Sequence, residues 1–307
     1  MTVNNLLFVE KDLDRNTPIY RFVPWRWASD LFVDQNLTLV RPERWEDPYE
    51  MVNIPIQLRI GDRTGSWAPK IFDGSSFEVF SQCWTSISMT DTMLRAYSKL
   101  SPTDGGDDSF DIKSHADESI QISTTVGKLL DAIDQGMQGT NSFKGVYVAR
   151  VKYKSDEELA SHAISTYANG GPEANKNPSC VASLLFVKRM AYRAENEIRP
   201  VVLLDEAAGH QPVWKLKVDP HALIDSITID PRVTLRKANG NPMRDYQNRA
   251  SILEQWGFAD KIVQSHMYSA SPMYECPTID LDSPDCTLPN ETKSLWRTFL
   301  WENKVPQ

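Results

Sequence analysis

The stretch AYRAENEIRP, residues 191–200, places charged side chains at alternate positions: Arg193, Glu195, Glu197 and Arg199. In an extended strand, alternate side chains point to the same face of the sheet. One interpretation is a solvent-facing strip on which Arg and Glu pair across neighbouring strands. The other is that Glu195 and Glu197 project into a cleft, where the flanking arginines keep the carboxylates ionised. Composition alone favours the solvent-facing strip.

A second cluster, YRFVPWRW, places Arg21 on a predicted strand among Tyr20, Trp25 and Trp27. A cation framed by aromatic rings suits a phosphate group or a planar ring. The alternative is that the aromatic rings belong to the core while the arginine side chain extends to water. The residue types leave both interpretations open.

A third cluster, RWEDPYE, contains Glu46, Asp47 and Glu50 close to Trp45 and Tyr49. Asp followed by Pro is typical of a turn, and Asp47 is expected to cap that turn. Paired carboxylates such as Asp47 and Glu50 can also act as acid and base, which would suit a hydrolase. The sequence cannot place them opposite a substrate.

The other reactive side chains do not form a motif. The five histidines are scattered, and we find no Cys, Asp or Glu at the spacing that a His-based site needs, so no metal is expected. The four cysteines form no CxxC pair, which is typical of reduced thiols in a cytoplasmic protein. The glycine-rich nucleotide loops, HExxH and GxSxG are absent.

Composition and periodicity predict the fold class. The chain has 307 residues with a formal charge of −8, and its polar N-terminus and short apolar runs predict a cytoplasmic protein without a membrane segment. Strands and helices follow one another without regular alternation, which predicts an α+β fold with a mixed, largely antiparallel central sheet and flanking helices. We expect one domain over residues 1–268 and a C-terminal tail or wrap-around segment over 269–307.

Four stretches have specific expectations. Residues 91–100 are predicted to form a helix that Thr90 caps. Residues 179–190 are predicted to be helical, 195–205 to form a strand, and 261–265 to form a terminal strand.

These segments, in this order, resemble a bacterial family known as domain of unknown function 2971. The resemblance rests on Tyr20-Arg21, WEDPYE, QCWTSIS with MLRAYS, and ENEIR, and it covers about residues 17–268. Two departures are visible. Leu94-Arg95-Ala96-Tyr97 lacks the Trp that often precedes the helix tyrosine, and an acidic insertion occupies residues 101–115.

The layout of that family is similar to ADP-ribosyltransferases, particularly bacterial toxins that modify nucleic acid. The resemblance implies that NAD is the substrate, with no metal. It implies that Glu197 stabilises charge at the ribose, that Glu195 orients or deprotonates the acceptor, and that Arg21 holds the diphosphate. The remaining implied groups are nicotinamide-stacking rings and strand hydroxyls: Tyr20, Trp84, Tyr97, Thr85, Ser86, and further along the chain Ser88, Ser123 and Thr124.

The resulting hypothesis is an effector, either a toxin or a phage-defence protein, with a nucleic-acid or protein acceptor and an antitoxin or defence-system partner. The first alternative is a non-catalytic nucleotide or nucleic-acid sensor, in which Arg21 and the aromatic rings bind a ligand. The second is the hydrolase that would use Asp47 and Glu50.

Overall fold

The computed structural model describes residues 7–45, 47, 50, 56–60, 63–67, 77–100, 110–138, 140, 143–205, 211–235, 242–268 and 280–302. The chain divides into two compact units, residues 1–265 and 266–307. The predicted domain boundary at residue 268 stays a prediction. Glu46, Tyr49 and residues 101–109 of the acidic insertion lie outside the described residues.

The first unit combines strands with helices. The strands are β1 (Leu7–Val9), β2 (Pro18–Pro24), β3 (Asn36–Val40), β4 (Ile56–Ile60), β5 (Arg63–Trp67), β6 (Phe77–Ser81), β7 (Trp84–Thr85), β8 (Ser119–Thr125), β9 (Phe143–Arg150), β10 (Lys152–Lys154), β11 (Val187–Arg189), β12 (Glu197–Asp205), β13 (Val213–Lys217) and β14 (Ser226–Ile229). The helices are α1 (Trp25–Phe32), α2 (Asp91–Tyr97), α3 (Val126–Met137), α4 (Asp156–Gly170), α5 (Pro178–Leu184), α6 (Pro220–Leu223) and α7 (Pro242–Gln255).

The main sheet divides at strand β12. One edge of β12 pairs antiparallel with β9. On the other edge, Glu197 and Ile198 pair with β7, whereas Val201–Asp205 pair with β6. Strand β7 continues into the branch β2-β8-β14, and β6 into the branch β3-β13. Among the strand pairs described in this sheet only β1 and β9 run parallel, so the prediction of an α+β fold with a largely antiparallel sheet is confirmed.

Strand β12 is buried on both faces, because hydrophobic side chains alternate between two cores. Ile198, Val202 and Leu204 lie in the larger core, which fills the space between the sheet, α1 and α3. Val201 and Leu203 lie in a second core with residues of α4 and α5. Glu197 and Arg199 therefore share the face of β12 that is turned towards the second core.

Local signals position the helix nearest to β7. The side chain of Thr90 accepts a hydrogen bond from the backbone nitrogen of Met93 at 3.2 Å, as expected for the N-cap of α2. At the other end, the guanidinium of Arg232 donates to the carbonyl oxygens of Leu94 and Ser98. The two ends of α2 are thus fixed, and Tyr97 is its last residue.

Several predicted elements differ from the structure. The helix predicted over 179–190 ends at Leu184, because residues 187–189 instead pair in parallel with β10. The terminal strand predicted at 261–265 is reduced to one isolated bridge between Ile227 and Ile262. Helix α1 ends at Phe32, Gln35 adopts a positive φ of 56°, and Asn36 begins β3.

The second unit contains a helix that the sequence did not predict. Helix α8 (Asn290–Glu302) carries exposed apolar side chains at Leu295, Trp296 and Phe299. No helix in the described part of either unit is long and apolar enough to cross a membrane.

Candidate functional site

A cavity opens where the two branches of the main sheet diverge. Strand β6 ends at Ser81 and β7 begins at Trp84, so Gln82 and Cys83 lie at the point of divergence. The residues that line the cavity are Tyr20, Arg21, Phe22, Cys83, Trp84, Thr85, Met93, Tyr97, Glu195 and Glu197. Seven of the eleven residues that we predicted as site candidates are among them. The other four are Ser86, Asp47, Glu50 and Arg199, and the last three form buried ion pairs that are described below.

Strand pairing brings three of the lining residues into one row. Thr85 of β7 pairs with Tyr20 of β2 on one side and with Glu197 of β12 on the other. These residues are 65 or more positions apart in the sequence, and only the sheet register places them side by side. The row forms the floor of the cavity.

Glu197 is a buried carboxylate that is held ionised. It is 2 % exposed, and its two oxygens accept hydrogen bonds from the Arg199 guanidinium at 2.6 and 2.8 Å. Burial alone would raise its pKa, but the charge and hydrogen bonds of Arg199, together with the Lys188 charge, outweigh burial and lower the pKa of Glu197. Its backbone nitrogen donates to the Tyr153 hydroxyl at 2.8 Å, which fixes the start of β12.

Glu195 reaches the same cavity by a different route from the one predicted. Residues 190–195 form a 3₁₀ helix, and Asn196 adopts a left-handed conformation with φ 41°, so the strand starts only at Glu197. The prediction of a four-residue charged ladder from Arg193 to Arg199 is therefore wrong. The solvent-facing interpretation is also wrong for Glu197 and Arg199, since both are buried.

Two side chains hold the Glu195 carboxylate at the cavity. One oxygen accepts a hydrogen bond from the Tyr97 hydroxyl at 2.7 Å, and the other accepts from Lys188 Nζ at 2.7 Å. The Tyr97 ring stacks on Phe22 with their centroids 5.9 Å apart. Burial and the neighbouring carboxylate of Glu195 raise the pKa of Tyr97, so its hydroxyl stays protonated and can donate.

A network of buried charges lies behind the two glutamates. Lys188 Nζ is 2.8 Å from Glu50, and the Arg199 guanidinium is 2.6 Å from Glu50. Arg199 is fully buried, donates to the Leu185 carbonyl at 2.6 Å and lies over the Trp45 ring at 4.3 Å. Because every charge in this group has an opposite partner, burial is tolerated.

Asp47 and Glu50 do not line the cavity. Asp47 is buried and accepts two hydrogen bonds from Arg189, at 2.9 and 3.1 Å, while Glu50 is engaged by Lys188 and Arg199. Both carboxylates thus serve ion pairs, and this geometry gives no support to a hydrolase built on them.

Arg21 is the cation at the cavity wall. The described residues provide no carboxylate within ion-pair distance of its guanidinium, in contrast to Arg199. Burial lowers the pKa of Arg21, although an arginine stays charged at neutral pH. A half-buried guanidinium without a carboxylate partner is suited to an anionic ligand.

The predicted aromatic and hydroxyl candidates divide into two groups. Trp84 lines the cavity, but its ring is only 2 % exposed and its indole nitrogen donates to Gln82 at 3.1 Å, so it presents little surface for stacking. Trp25 lies in the core and Trp27 is 60 % exposed, so neither frames Arg21 at the cavity. Tyr20 and Tyr97 remain the candidates for a stacking role.

The hydroxyl candidates mostly support the backbone. Thr85 Oγ1 accepts from the backbone nitrogen of Ile87 at 3.1 Å, and the exposed Ser86 donates to the carbonyl of Asn196 at 3.3 Å. Ser123 pairs with Ser226, and Thr124 donates to the Leu223 carbonyl. Of these, Thr85 alone is among the lining residues.

Lys188 and Cys83 were missed as site residues. Lys188 lies in a stretch predicted to be helical, and only its pairing with β10 shows which way it faces. Cys83 was noted only as part of the QCWTSIS motif. Burial and the adjacent Glu197 carboxylate raise the pKa of the Cys83 thiol, so it is protonated at neutral pH. Within the described ranges no group of His, Cys, Asp and Glu side chains could hold a metal.

The lowered pKa of Glu197 predicts a pH-dependent stability. The folded-state pKa lies below the unfolded value of about 4.3, so Glu197 stabilises the fold fully above that pH, and the contribution is lost as the pH falls through the folded-state pKa. We expect the free energy of unfolding to fall more steeply below about pH 4 in the wild type than in Glu197→Gln. Urea denaturation at a series of pH values measures this, and parallel curves would contradict it.

Neither a family model nor a curated protein matches the chain. Similar solved structures include DarT of Thermus sp. 2.9 in complex with NAD⁺, with 14% identity over 82% of this chain and 97% of that chain, and a TM-score of 0.29. They also include the same protein with ADP-ribosylated ssDNA, with 13% identity over 83% and 96% of the two chains and a TM-score of 0.31. TM-scores this low do not establish a common fold. Because no family model matches, the resemblance to domain of unknown function 2971 stays a prediction.

Proposed function

We propose that this chain is an ADP-ribosyltransferase-like enzyme that uses NAD as its substrate. The observation that carries the proposal is a buried, ionised Glu197 in the same cavity as Arg21, a guanidinium for which the described residues offer no carboxylate. An anion-binding cation and a charge-stabilising carboxylate are the two groups that cleavage of a dinucleotide at its ribose requires.

The charge balance behind the cavity supports a cationic transition state. Glu50, Glu195 and Glu197 are three carboxylates, whereas Lys188 and Arg199 are two cations, so this cluster keeps one negative charge. Only the two glutamates 195 and 197 among the five line the cavity. The carboxylates of Glu195 and Glu197 therefore face the space in which positive charge would develop at the anomeric carbon.

In the proposed reaction the bond between nicotinamide and C1′ of its ribose breaks, and nicotinamide leaves with the bonding electron pair. Glu197 stabilises the positive charge that builds up on the ribose and accepts a hydrogen bond from its 2′-hydroxyl. A nucleophilic N or O atom of the acceptor then bonds to C1′, and its proton passes to Glu195 and on to solvent. The products are ADP-ribosylated acceptor, nicotinamide and a proton.

The other end of the dinucleotide is assigned to Arg21. Its guanidinium can donate two parallel hydrogen bonds to phosphate oxygens. The nicotinamide ribose is assigned to the cavity beside Glu197, and the adenosine end to the surface outside it. Tyr20 and Tyr97 would flank the nicotinamide ring.

The biological setting belongs to the same proposal. We assign the chain to the effectors, as a toxin or a phage-defence protein that modifies nucleic acid or protein and has an antitoxin or defence-system partner. The support is the ordered set of motifs that resembles domain of unknown function 2971, a family whose layout is similar to that of nucleic-acid-modifying toxins. The net charge of −8 restricts any nucleic-acid contact to a local surface.

The test measures nicotinamide release from NAD by the wild-type chain, with single-stranded DNA, RNA and protein offered separately as acceptors. Nicotinamide release together with label on one acceptor is the expected result. The sensor alternative predicts that NAD or ADP-ribose raises the melting temperature while NAD stays intact. Intact NAD with every acceptor would overturn the transferase proposal.

Arg21→Met separates a binding role from a structural one. Because charge-assisted hydrogen bonds contribute about 1.5–3 kcal/mol, we expect ADP-ribose to bind about 10- to 100-fold more weakly. The melting temperature without ligand should not fall, since the substitution removes a half-buried cation that has no carboxylate partner in the described structure. Titration calorimetry and thermal unfolding measure the two effects.

Arg150→Met is the matched control, because that arginine is 44 % exposed and pairs with Glu10 away from the cavity lining. It should leave ADP-ribose affinity unchanged. A lower melting temperature of Arg21→Met with unchanged affinity would mean that Arg21 is structural.

A further inference from the structure

We propose that Lys188 is a positioning residue that fixes Glu195 for the acceptor step. This inference rests on the proposed function and concerns its second step, the transfer of ADP-ribose to the acceptor. Lys188 does not line the cavity, so it acts through the carboxylates that it contacts.

Lys188 is placed where a lysine is rarely found. It is 5 % exposed in the middle of β11, with its Nζ 2.7 Å from Glu195, 2.8 Å from Glu50 and 3.6 Å from Glu197. Its ammonium also lies 4.6 Å from the centre of the Tyr192 ring. Burial of this cation is costly without such partners, and the neighbouring carboxylates raise the pKa of Lys188 despite the opposing effect of burial.

The two cavity glutamates depend on Lys188 to different degrees. Glu197 keeps two hydrogen bonds from Arg199, and its backbone is fixed by β7 and by Tyr153. Glu195 precedes the strand, and among the described residues its carboxylate is bound by Tyr97 and Lys188, one at each oxygen. Loss of Lys188 thus removes one of the two side chains that hold Glu195. For Glu197 it removes only a more distant cation, 3.6 Å away, in addition to Arg199.

This asymmetry connects Lys188 to one step of the reaction. Cleavage of the nicotinamide bond depends on Glu197, and water can then take the place of the acceptor to give ADP-ribose and a proton. Transfer to an acceptor additionally requires that Glu195 orients the nucleophile and receives its proton. A misplaced Glu195 therefore lowers transfer more than it lowers nicotinamide release.

The experiment measures nicotinamide release and ADP-ribosylated acceptor in the same reaction for Lys188→Met. A displacement of about 1 Å in a catalytic group costs about 10²-fold, so we expect the ratio of transfer to nicotinamide release to fall by about 10- to 100-fold. Lys152→Met is the control, because Lys152 lies on the neighbouring strand β10 and is exposed. It should leave the ratio at the wild-type value.

A second variant protects the test against misfolding. Lys188→Met/Glu50→Gln removes one charge of each sign and keeps the single negative charge of the cluster, so it should fold where Lys188→Met alone does not. Its ratio should fall to the same extent. An equal loss of transfer and nicotinamide release in both variants, or an unchanged ratio, would overturn the assignment.

Failure of the proposed function has a separate signature. If the wild type releases no nicotinamide, the transferase itself is overturned, and with it the acceptor step. The anchoring of Glu195 is then read from a crystal structure of Lys188→Met, in which the contact of 2.7 Å between Glu195 and the Tyr97 hydroxyl should be lost. Retention of that contact would show that Lys188 does not position Glu195.

Discussion

Replacing Glu197 with glutamine is expected to lower nicotinamide release from NAD by about 10²- to 10³-fold, the usual effect of removing one group that stabilises transition-state charge. The substitution keeps the shape of the side chain and removes its negative charge. Because Arg199 retains Glu50 and the Leu185 carbonyl as partners, the fold should persist at neutral pH. Initial rates of nicotinamide release, measured beside circular dichroism spectra of both proteins, give the comparison.

Glu118→Gln is a closely matched control for this variant. Glu118 is 1 % exposed and accepts two hydrogen bonds from Arg249, at 2.6 and 2.9 Å, so it is also a buried glutamate paired with arginine. It does not line the cavity. We expect Glu118→Gln to change stability and to leave the rate per folded molecule unchanged. Equal rates in Glu197→Gln and the wild type would exclude Glu197 from the chemistry.

From the sequence we named most of the cavity-lining residues that lie on strands β2, β7 and β12. The resemblance assigns Arg21 and Glu197 to the binding and cleavage of one NAD molecule, and both residues line the cavity, although their roles remain predictions. This expectation came from the resemblance to ADP-ribosyltransferases, since composition alone favoured a solvent-facing strip for the charged residues 193–199. Thr90, by contrast, predicts the start of α2 from the sequence itself, because capping is a local interaction.

The position of Glu195 could not be predicted in the same way. An alternating pattern indicates an extended chain only while the backbone stays extended, and Asn196 interrupts it with a left-handed conformation. Asparagine tolerates the left-handed conformation better than most residues, but the presence of one asparagine does not by itself predict that conformation. The predicted strand therefore began too early, because it included residues of the 3₁₀ helix that ends at Glu195.

The charge network was inaccessible for a different reason. Glu50, Lys188 and Arg199 are separated by 138 and 11 positions in the chain, and their proximity depends on the packing of a loop and two strands. Composition gives the number of charges but not which of them are buried together. The consequence is that Glu50 was considered as a hydrolytic acid, whereas it is the shared counter-ion of two cations.

Arg199 is the residue whose loss should affect the fold most. It is fully buried, with hydrogen bonds to Glu197, Glu50 and the Leu185 carbonyl. Removal of one partner from a buried ion pair costs about 3–5 kcal/mol, because it leaves an uncompensated charge. We expect Arg199→Met to lose about that much free energy of unfolding, measured by urea denaturation at neutral pH.

The double variant Arg199→Met/Glu197→Gln distinguishes the orphaned charge from lost packing over Trp45. If the cost arises from the uncompensated carboxylate, the double variant is more stable than Arg199→Met, since Glu50 keeps Lys188 as its partner. Arg249→Met, which removes a buried arginine from Glu118 and from the Phe110 ring, gives the cost of a similar pair outside the cavity. A double variant that is less stable than Arg199→Met would show that the packing of the guanidinium, and not its charge, holds this part of the fold.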